Sequence, residues 1–130
     1  MDELKEQAGG DERVIFTGFV DGQLREELYS NAYLFVLPSD LEGMPLCLLE
    51  AMSYGNCVIT SDIEECANVI HDNGIVFRKG DVDDLAQKLT YALSHPNTVR
   101  MFKWLAAEYV CTRFPWERIV EETLTLYEKK

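Results

Sequence analysis

A chain of 130 residues that is 47% hydrophobic and 11% aromatic carries enough apolar side chain for one packed core, which excludes a disordered chain. Its 23 acidic against 12 basic side chains give a net charge of -11, a surface that repels nucleic-acid phosphates and anionic membranes. One phosphorylated small molecule stays admissible, because backbone N–H groups hold phosphate without any lysine.

The opening MDELKEQAGG is charged and has no apolar centre, so it reads as no signal peptide. No apolar run reaches membrane-spanning length, and the expected location is cytoplasmic. Val14-Ile15-Phe16-Thr17, a short β-rich run ending at Gly18, predicts the first strand. Leu24 to Ala32 reads as a helix with Leu24, Leu28 and Ala32 on one face. Tyr33 to Leu37 is continuously apolar, as a strand buried on both faces is, and Pro38 ends it.

Ser39 to Met44 is a loop by composition, and Pro45 suits the first turn of a helix carrying Leu46, Leu49, Ala51 and Met52 and stopping at Gly55. Cys57 to Thr60 is the third predicted strand, and Ile75 to Phe77, after an Asn73-Gly74 turn, is the fourth. Three helices follow. Asp81 caps one with the stripe Val82, Leu85, Leu89, Ala92 and Leu93, broken at Pro96-Asn97. The next carries Phe102, Leu105, Ala106, Tyr109 and Val110. Pro115 opens the last, with Trp116, Ile119, Val120, Leu124 and Tyr127. All three stripes are expected to be core. The alternation predicts a single α/β domain over residues 1–130, a partial doubly wound, Rossmann-like parallel sheet of about four strands.

Cys47, Cys57, Cys66 and Cys111 form no C-x-x-C pair and read as buried thiols in a reducing compartment. His71 and His95 complete no zinc-binding or nucleophile motif. No G-x-G-x-x-G, no P-loop and no aspartate pair for a metal occurs, so neither a metal nor another cofactor is expected.

Ligands of open α/β sheets bind beyond the C-terminal strand ends, here Thr17 to Val20, Pro38 to Asp40, and Ser61-Asp62. The informative stretch is SDLEGMPLCLLEAMSYG. Glu42 lies in the loop and Glu50 in the helix, with seven residues between them. Gly43 lets a ligand approach the backbone closely, and the N–H groups near Met44, Leu46 and Cys47, with the helix dipole, make a site for a diphosphate. Glu50 interrupts an apolar helix, so it is paired, hydrated or bound to a ligand. The residues alone leave open that Glu50 is an exposed acid on a polar face and Glu42 a solvated loop acid.

The run PSDLEGMPLCLLEAMSYGNCVITSDIEE resembles the signature of glycosyltransferase family four, whose members have the two-domain GT-B fold. Glu42, Gly43, Pro45, Glu50, Ala51 and Gly55 match its pattern E-G-x-P-x-x-x-x-E-A-x-x-x-G. VIFTGFV, NGIVFRKGDVDDLAQKL and FPWERIV stand in order where the family has similar motifs, so the resemblance runs from about Val14 to the C-terminus. It implies that Glu50 holds ribose hydroxyls, and that Glu42 contacts the transferred sugar and supports charge near its anomeric carbon, the catalytic position. Backbone around Gly43, Met44, Leu46 and Cys47 would hold sugar and diphosphate, and Phe19 and Val20 would line the base pocket. The implied reaction moves a sugar from a nucleotide-sugar, a UDP-sugar first among them, to an acceptor hydroxyl with retention and without a metal.

Family members are longer. Their N-terminal acceptor domain, the opening strands of the C-terminal domain, and the Arg and Lys that grip the diphosphate have no counterpart here; Lys5 and Arg13 do not match. The expectation is therefore a donor-binding part, inactive alone, with unpaired strand edges that either pair together or make a homo-oligomer. In the full-length enzyme, a peripheral position at the inner membrane face is open. The alternative is a non-catalytic nucleotide-sugar-binding or regulatory module with the same fold. A receiver-type signalling domain fits poorly, because no phospho-accepting Asp with a later Lys follows an apolar strand in the required order.

Overall fold

The computed structural model describes residues 2–128. Its elements in chain order are α1 (Asp2–Ala8), α2 (Gly22–Asn31), β1 (Phe35–Leu37), α3 (Leu46–Ser53), β2 (Val58–Ser61), α4 (Glu64–Ile70), β3 (Ile75–Phe77), α5 (Val82–Ser94), α6 (Pro96–Arg113) and α7 (Trp116–Glu128). The three strands form one parallel sheet in the order β1-β2-β3. Phe35 stands beside Val58, and Ile59 beside Ile75.

Alternation along β2 divides the core. Val58 points to the face covered by α3, α4 and α6, where it packs with Leu48, Ala51, Met52, Cys66, Val69, Ile70, Ala106 and Val110. Cys57 and Ile59 point to the other face, with Ile75, Phe77, Ala92 of α5 and Val99 at the start of α6. Helices on both faces of a parallel sheet explain why every residue of β2 is buried. The α/β class and parallel arrangement are as the sequence predicts.

Helix ends follow local chemistry. The Asp81 carboxylate accepts from the Asp84 N–H at 2.9 Å, capping α5 as expected. Pro96 begins α6 rather than merely breaking the chain, because its missing N–H is not needed at a first turn. Two helices lie outside the sequence reading: α1 and α4 are each seven residues, too short for a full apolar stripe.

Several expectations are corrected. The sheet has three strands among the described residues, not about four. Residues 14–17 form no ladder; Val14 and Ile15 are exposed, because nothing among the described residues supplies a neighbour for them. Of the two outcomes left open for the strand edges, direct pairing of this run with β1 is absent. β1 pairs only with β2, so it is an edge strand with half-buried residues rather than one buried on both faces.

Helix α2 turns Tyr29 inward, against Phe35 and Tyr54, while Leu24 and Leu28 face solvent. Val82 and Leu93 of α5 are also exposed. The largest departure is α7, which has no buried residue: Trp116 is 73% exposed and Tyr127 75%, with Ile119, Val120 and Leu124 exposed beside them. Its apolar stripe is real, but nothing among the described residues covers it.

Candidate functional site

The C-terminal ends of β1, β2 and β3 converge on the loop of residues 38–45. Side chains at the end of β2 and just after β3 fasten it. The Thr60 hydroxyl donates to the Leu37 carbonyl at 3.1 Å, and the Ser61 hydroxyl donates to the Ser39 carbonyl at 2.5 Å. From the end of β3, the Lys79 ammonium donates to the Asp40 carbonyl at 2.7 Å, while the Lys79 N–H donates to Asp62 at 2.8 Å. The loop backbone is thus held by β2 and by the residue pair after β3.

On that loop the Ser39 hydroxyl donates to Glu42 Oε1. Glu42 is half-buried and faces two thiols. Burial first, and the Glu42 charge second, raise the Cys47 thiol above its ordinary range. Cys66 is raised by burial, against a hydrogen bond from Thr60 that lowers it, with Glu42 again raising it. A carboxylate anchored by a hydroxyl and backed by neutral thiols is fixed in place without a cation to neutralise it.

The turn into α3 supplies donors. Pro45 is buried and precedes the helix, its carbonyl accepting from Leu48 at 3.0 Å and Leu49 at 3.3 Å. Leu46 N–H is already used, donating to the Met44 carbonyl at 2.8 Å. The N–H groups of Met44 and Cys47 make no hydrogen bond among the described residues. Of the three amides the sequence nominates, two are therefore available at the positive end of the helix dipole. A Cβ placed on Gly43 would meet nothing within 4 Å, and Leu41, Met44 and Leu46 are exposed, so the crest of the loop is open.

Glu50 lies one turn further on and faces α2. Its Oε1 is 3.5 Å from Arg25 Nη2. The Tyr29 phenol is raised by burial and then by the Glu50 charge. Glu50 is thus a paired, half-buried carboxylate. Glu42 and Glu50 take different neighbours, the first Ser39 and Cys47, the second Arg25 and Tyr29.

Phe19 is 93% exposed and Val20 half-buried, in a segment without regular structure that leads to Asp21, the cap of α2. The sequence reading missed Arg25, Tyr29, Ser39 and Lys79. Ser39 alone carried a local signal, three residues before Glu42; the others reach the site from distant positions. A groove of about 500 Å³ lined by Asn73, Tyr109, Arg113 and Arg118 opens at the opposite end of the sheet and includes none of the nominated residues.

Residues 1–95 match the family described as glycosyl transferases group 1. This chain belongs to that family. An uncharacterized glycosyltransferase of Methanocaldococcus jannaschii is 30% identical over 130 residues, 98% of this chain and 33% of that protein. The O-antigen chain mannosyltransferase B of Escherichia coli is 30% identical over 87% of this chain and 29% of its own length. The alpha-maltose-1-phosphate synthase of Mycobacterium tuberculosis is 33% identical over 83% of this chain and 30% of its own.

Among solved structures, sucrose-phosphate synthase from Thermosynechococcus elongatus superposes with a TM-score of 0.87 at 28% identity, covering 98% of this chain and 33% of that one. The fold of this glycosyltransferase chain is that of a GT-B domain. It spans about a third of the length of the curated relatives it matches. Among its described residues no helix is long and apolar enough to cross a membrane.

Proposed function

We propose that this chain is the donor-binding part of a retaining glycosyltransferase that moves a sugar from a nucleotide-sugar to an acceptor hydroxyl. The observation that carries the reading is the fastened loop of residues 38–45. It presents the anchored Glu42 carboxylate and the free amides of Met44 and Cys47 at the start of α3. In such a transfer the bond from the anomeric carbon to the diphosphate breaks, a bond from the acceptor oxygen forms on the same face, and negative charge grows on the leaving diphosphate. Fixed N–H donors at a helix start stabilise that charge without reorganising.

Glu42 would accept from hydroxyls of the transferred sugar and oppose positive charge at the anomeric carbon. Glu50 would accept from the ribose hydroxyls, and Phe19 and Val20 would form one wall of the base site. The amide of Leu46 is spent on Met44, so Leu46 would contribute position rather than a donor. No metal or other cofactor enters this reading.

The missing partner is the acceptor-binding remainder of a longer enzyme. It would cover the free edge of β1 and the exposed Leu24 and Leu28 of α2. Association of two copies through the same edge is the competing outcome, and light scattering separates the two. The chain alone would bind a donor weakly and transfer nothing.

Calorimetric titration with UDP, GDP and ADP, for the native chain and Glu50→Ala, tests the reading. Binding of one diphosphate that weakens in the variant supports it and names the base. Equal binding by both proteins overturns the role of Glu50.

A further inference from the structure

Arg25 is the cation nearest the ribose-side carboxylate. It sits one turn into α2, and its guanidinium spans two acids: Nη2 lies 3.5 Å from Glu50 Oε1 on α3 and 3.8 Å from Asp21 Oδ1 at the cap of its own helix. Asp21 Oδ1 also accepts from the Gly22 N–H at 2.7 Å, which fixes that carboxylate. The segment carrying Phe19 and Val20 ends on Asp21. One side chain therefore ties the proposed base wall to the proposed ribose acceptor.

The Arg25 side chain is 43% exposed, with its inner end covered. Its Nε is buried and has no hydrogen-bond partner among the described residues, so the stem of Arg25 lies down in the α2–α3 junction while its tip reaches Glu50. One turn along, Tyr29 stacks on Tyr54 at the end of α3, with ring centroids 5.5 Å apart. Asn56 ties the same helices by donating to the Tyr29 carbonyl at 2.8 Å and the Ala51 carbonyl at 3.0 Å. The junction that sets the distance from Arg25 to Glu50 is thus rigid on one side.

A carboxylate has two oxygens and can accept from several donors at once. The Arg25 contact is made at Oε1 of Glu50, and the same carboxylate lies beside the Tyr29 phenol. We propose that Arg25 is a positioning residue, which holds Glu50 by Oε1 so that Oε2 is presented to the ribose hydroxyls of a nucleoside diphosphate. The proposal rests on the reading of Glu50 given above. It adds that recognition of the ribose depends on a residue of α2, outside the loop and helix that bear the glutamates. Lysine keeps the charge but not the planar fork, so Arg25→Lys would restore the function only in part.

The test compares each nucleoside diphosphate with its 2′,3′-dideoxy form, titrated against the native protein, Arg25→Gln, Arg25→Lys and Glu50→Ala. Circular dichroism on each variant checks that the helices persist. The native protein is expected to prefer the ribose form. Arg25→Gln is expected to weaken that form by roughly three- to tenfold and to leave the dideoxy form nearly unchanged, because only hydroxyl recognition is lost. In the Glu50→Ala background the further change to Gln at position 25 is expected to do nothing.

A loss that falls equally on both ligands would mean that Arg25 merely supports the fold, and it overturns the proposal. So does a preference for ribose that Glu50→Ala abolishes and Arg25→Gln leaves intact; in that case the reading of Glu50 survives alone. No preference for ribose in the native protein, or no binding of any diphosphate, overturns both.

Discussion

The Lys79 ammonium lies 2.7 Å from the Asp40 carbonyl oxygen, joining the residues after β3 to the loop that follows β1. Both groups are exposed, so the bond contributes little to global stability. Its effect is local. Lys79→Ala is expected to raise amide hydrogen exchange across residues 39–44 several-fold while the urea midpoint hardly moves. Unchanged exchange there would show that Thr60 and Ser61 hold the loop by themselves.

Asn56 is a different kind of fastening. It is buried, and its amide nitrogen donates to carbonyls of both α2 and α3. Asn56→Ala takes the side-chain donor from the Tyr29 carbonyl, while the Ala51 carbonyl keeps the Asn56 backbone N–H, and opens a small void, costing about 1–3 kcal/mol. Urea unfolding would read the loss as a lower midpoint with an unchanged slope.

Gly74 precedes β3 for want of space. A Cβ there would come 2.7 Å from Val58 Cγ2, 3.1 Å from the Val58 carbonyl oxygen and 3.2 Å from Ile70 Cδ1. Two of these contacts lie within the sheet and its backbone, which cannot give way freely. Gly74→Ala is expected to destabilise by about 1–3 kcal/mol, measured as a fall in the thermal midpoint.

The thiols divide by burial. Cys111 is exposed, and Cys57 is fully buried with its pKa pushed up to about 11 by that burial. In the unfolded chain a thiol ionises near 9, so between about 9 and 11 the unfolded state has lost a proton that the native state keeps. Stability from Cys57 is thus full below pH 9 and falls as pH rises toward 11, by on the order of 2 kcal/mol. Cys57→Ala would flatten that part of the pH–stability curve. At neutral pH, thiol reagents are expected to label Cys111 first and to reach Cys57 only on unfolding.

What the sequence disclosed depended on the range over which each signal acts. The Asp81 cap and the helix after Pro45 are local and stand as read, whereas Pro96, read as a break, starts α6. Residues 14–17 have every local mark of a strand, but a strand exists only with a neighbour. The stripe of α7 has helical spacing and no partner to bury it. Periodicity reports which face is apolar, not whether anything covers it. At the site, Glu42 and Glu50 were nominated by the family resemblance, whereas Arg25 and Lys79 carry no signature and become visible only when α2 and β3 are placed beside α3.

The sheet also says something about how the chain acquires its shape. Each strand pairs only with the next in sequence, Phe35 with Val58 and then Ile59 with Ile75, each through a single intervening helix. No pairing requires distant segments to meet before nearer ones have formed, so the entropy of closing each loop is met in small steps. Assembly can advance one unit at a time, with the first unit, β1-α3-β2, enclosing Leu48, Ala51 and Met52 against Val58. That first unit also bears both Glu42 and Glu50, so the acids proposed to meet the donor lie in a part whose strands can pair through a single short crossover.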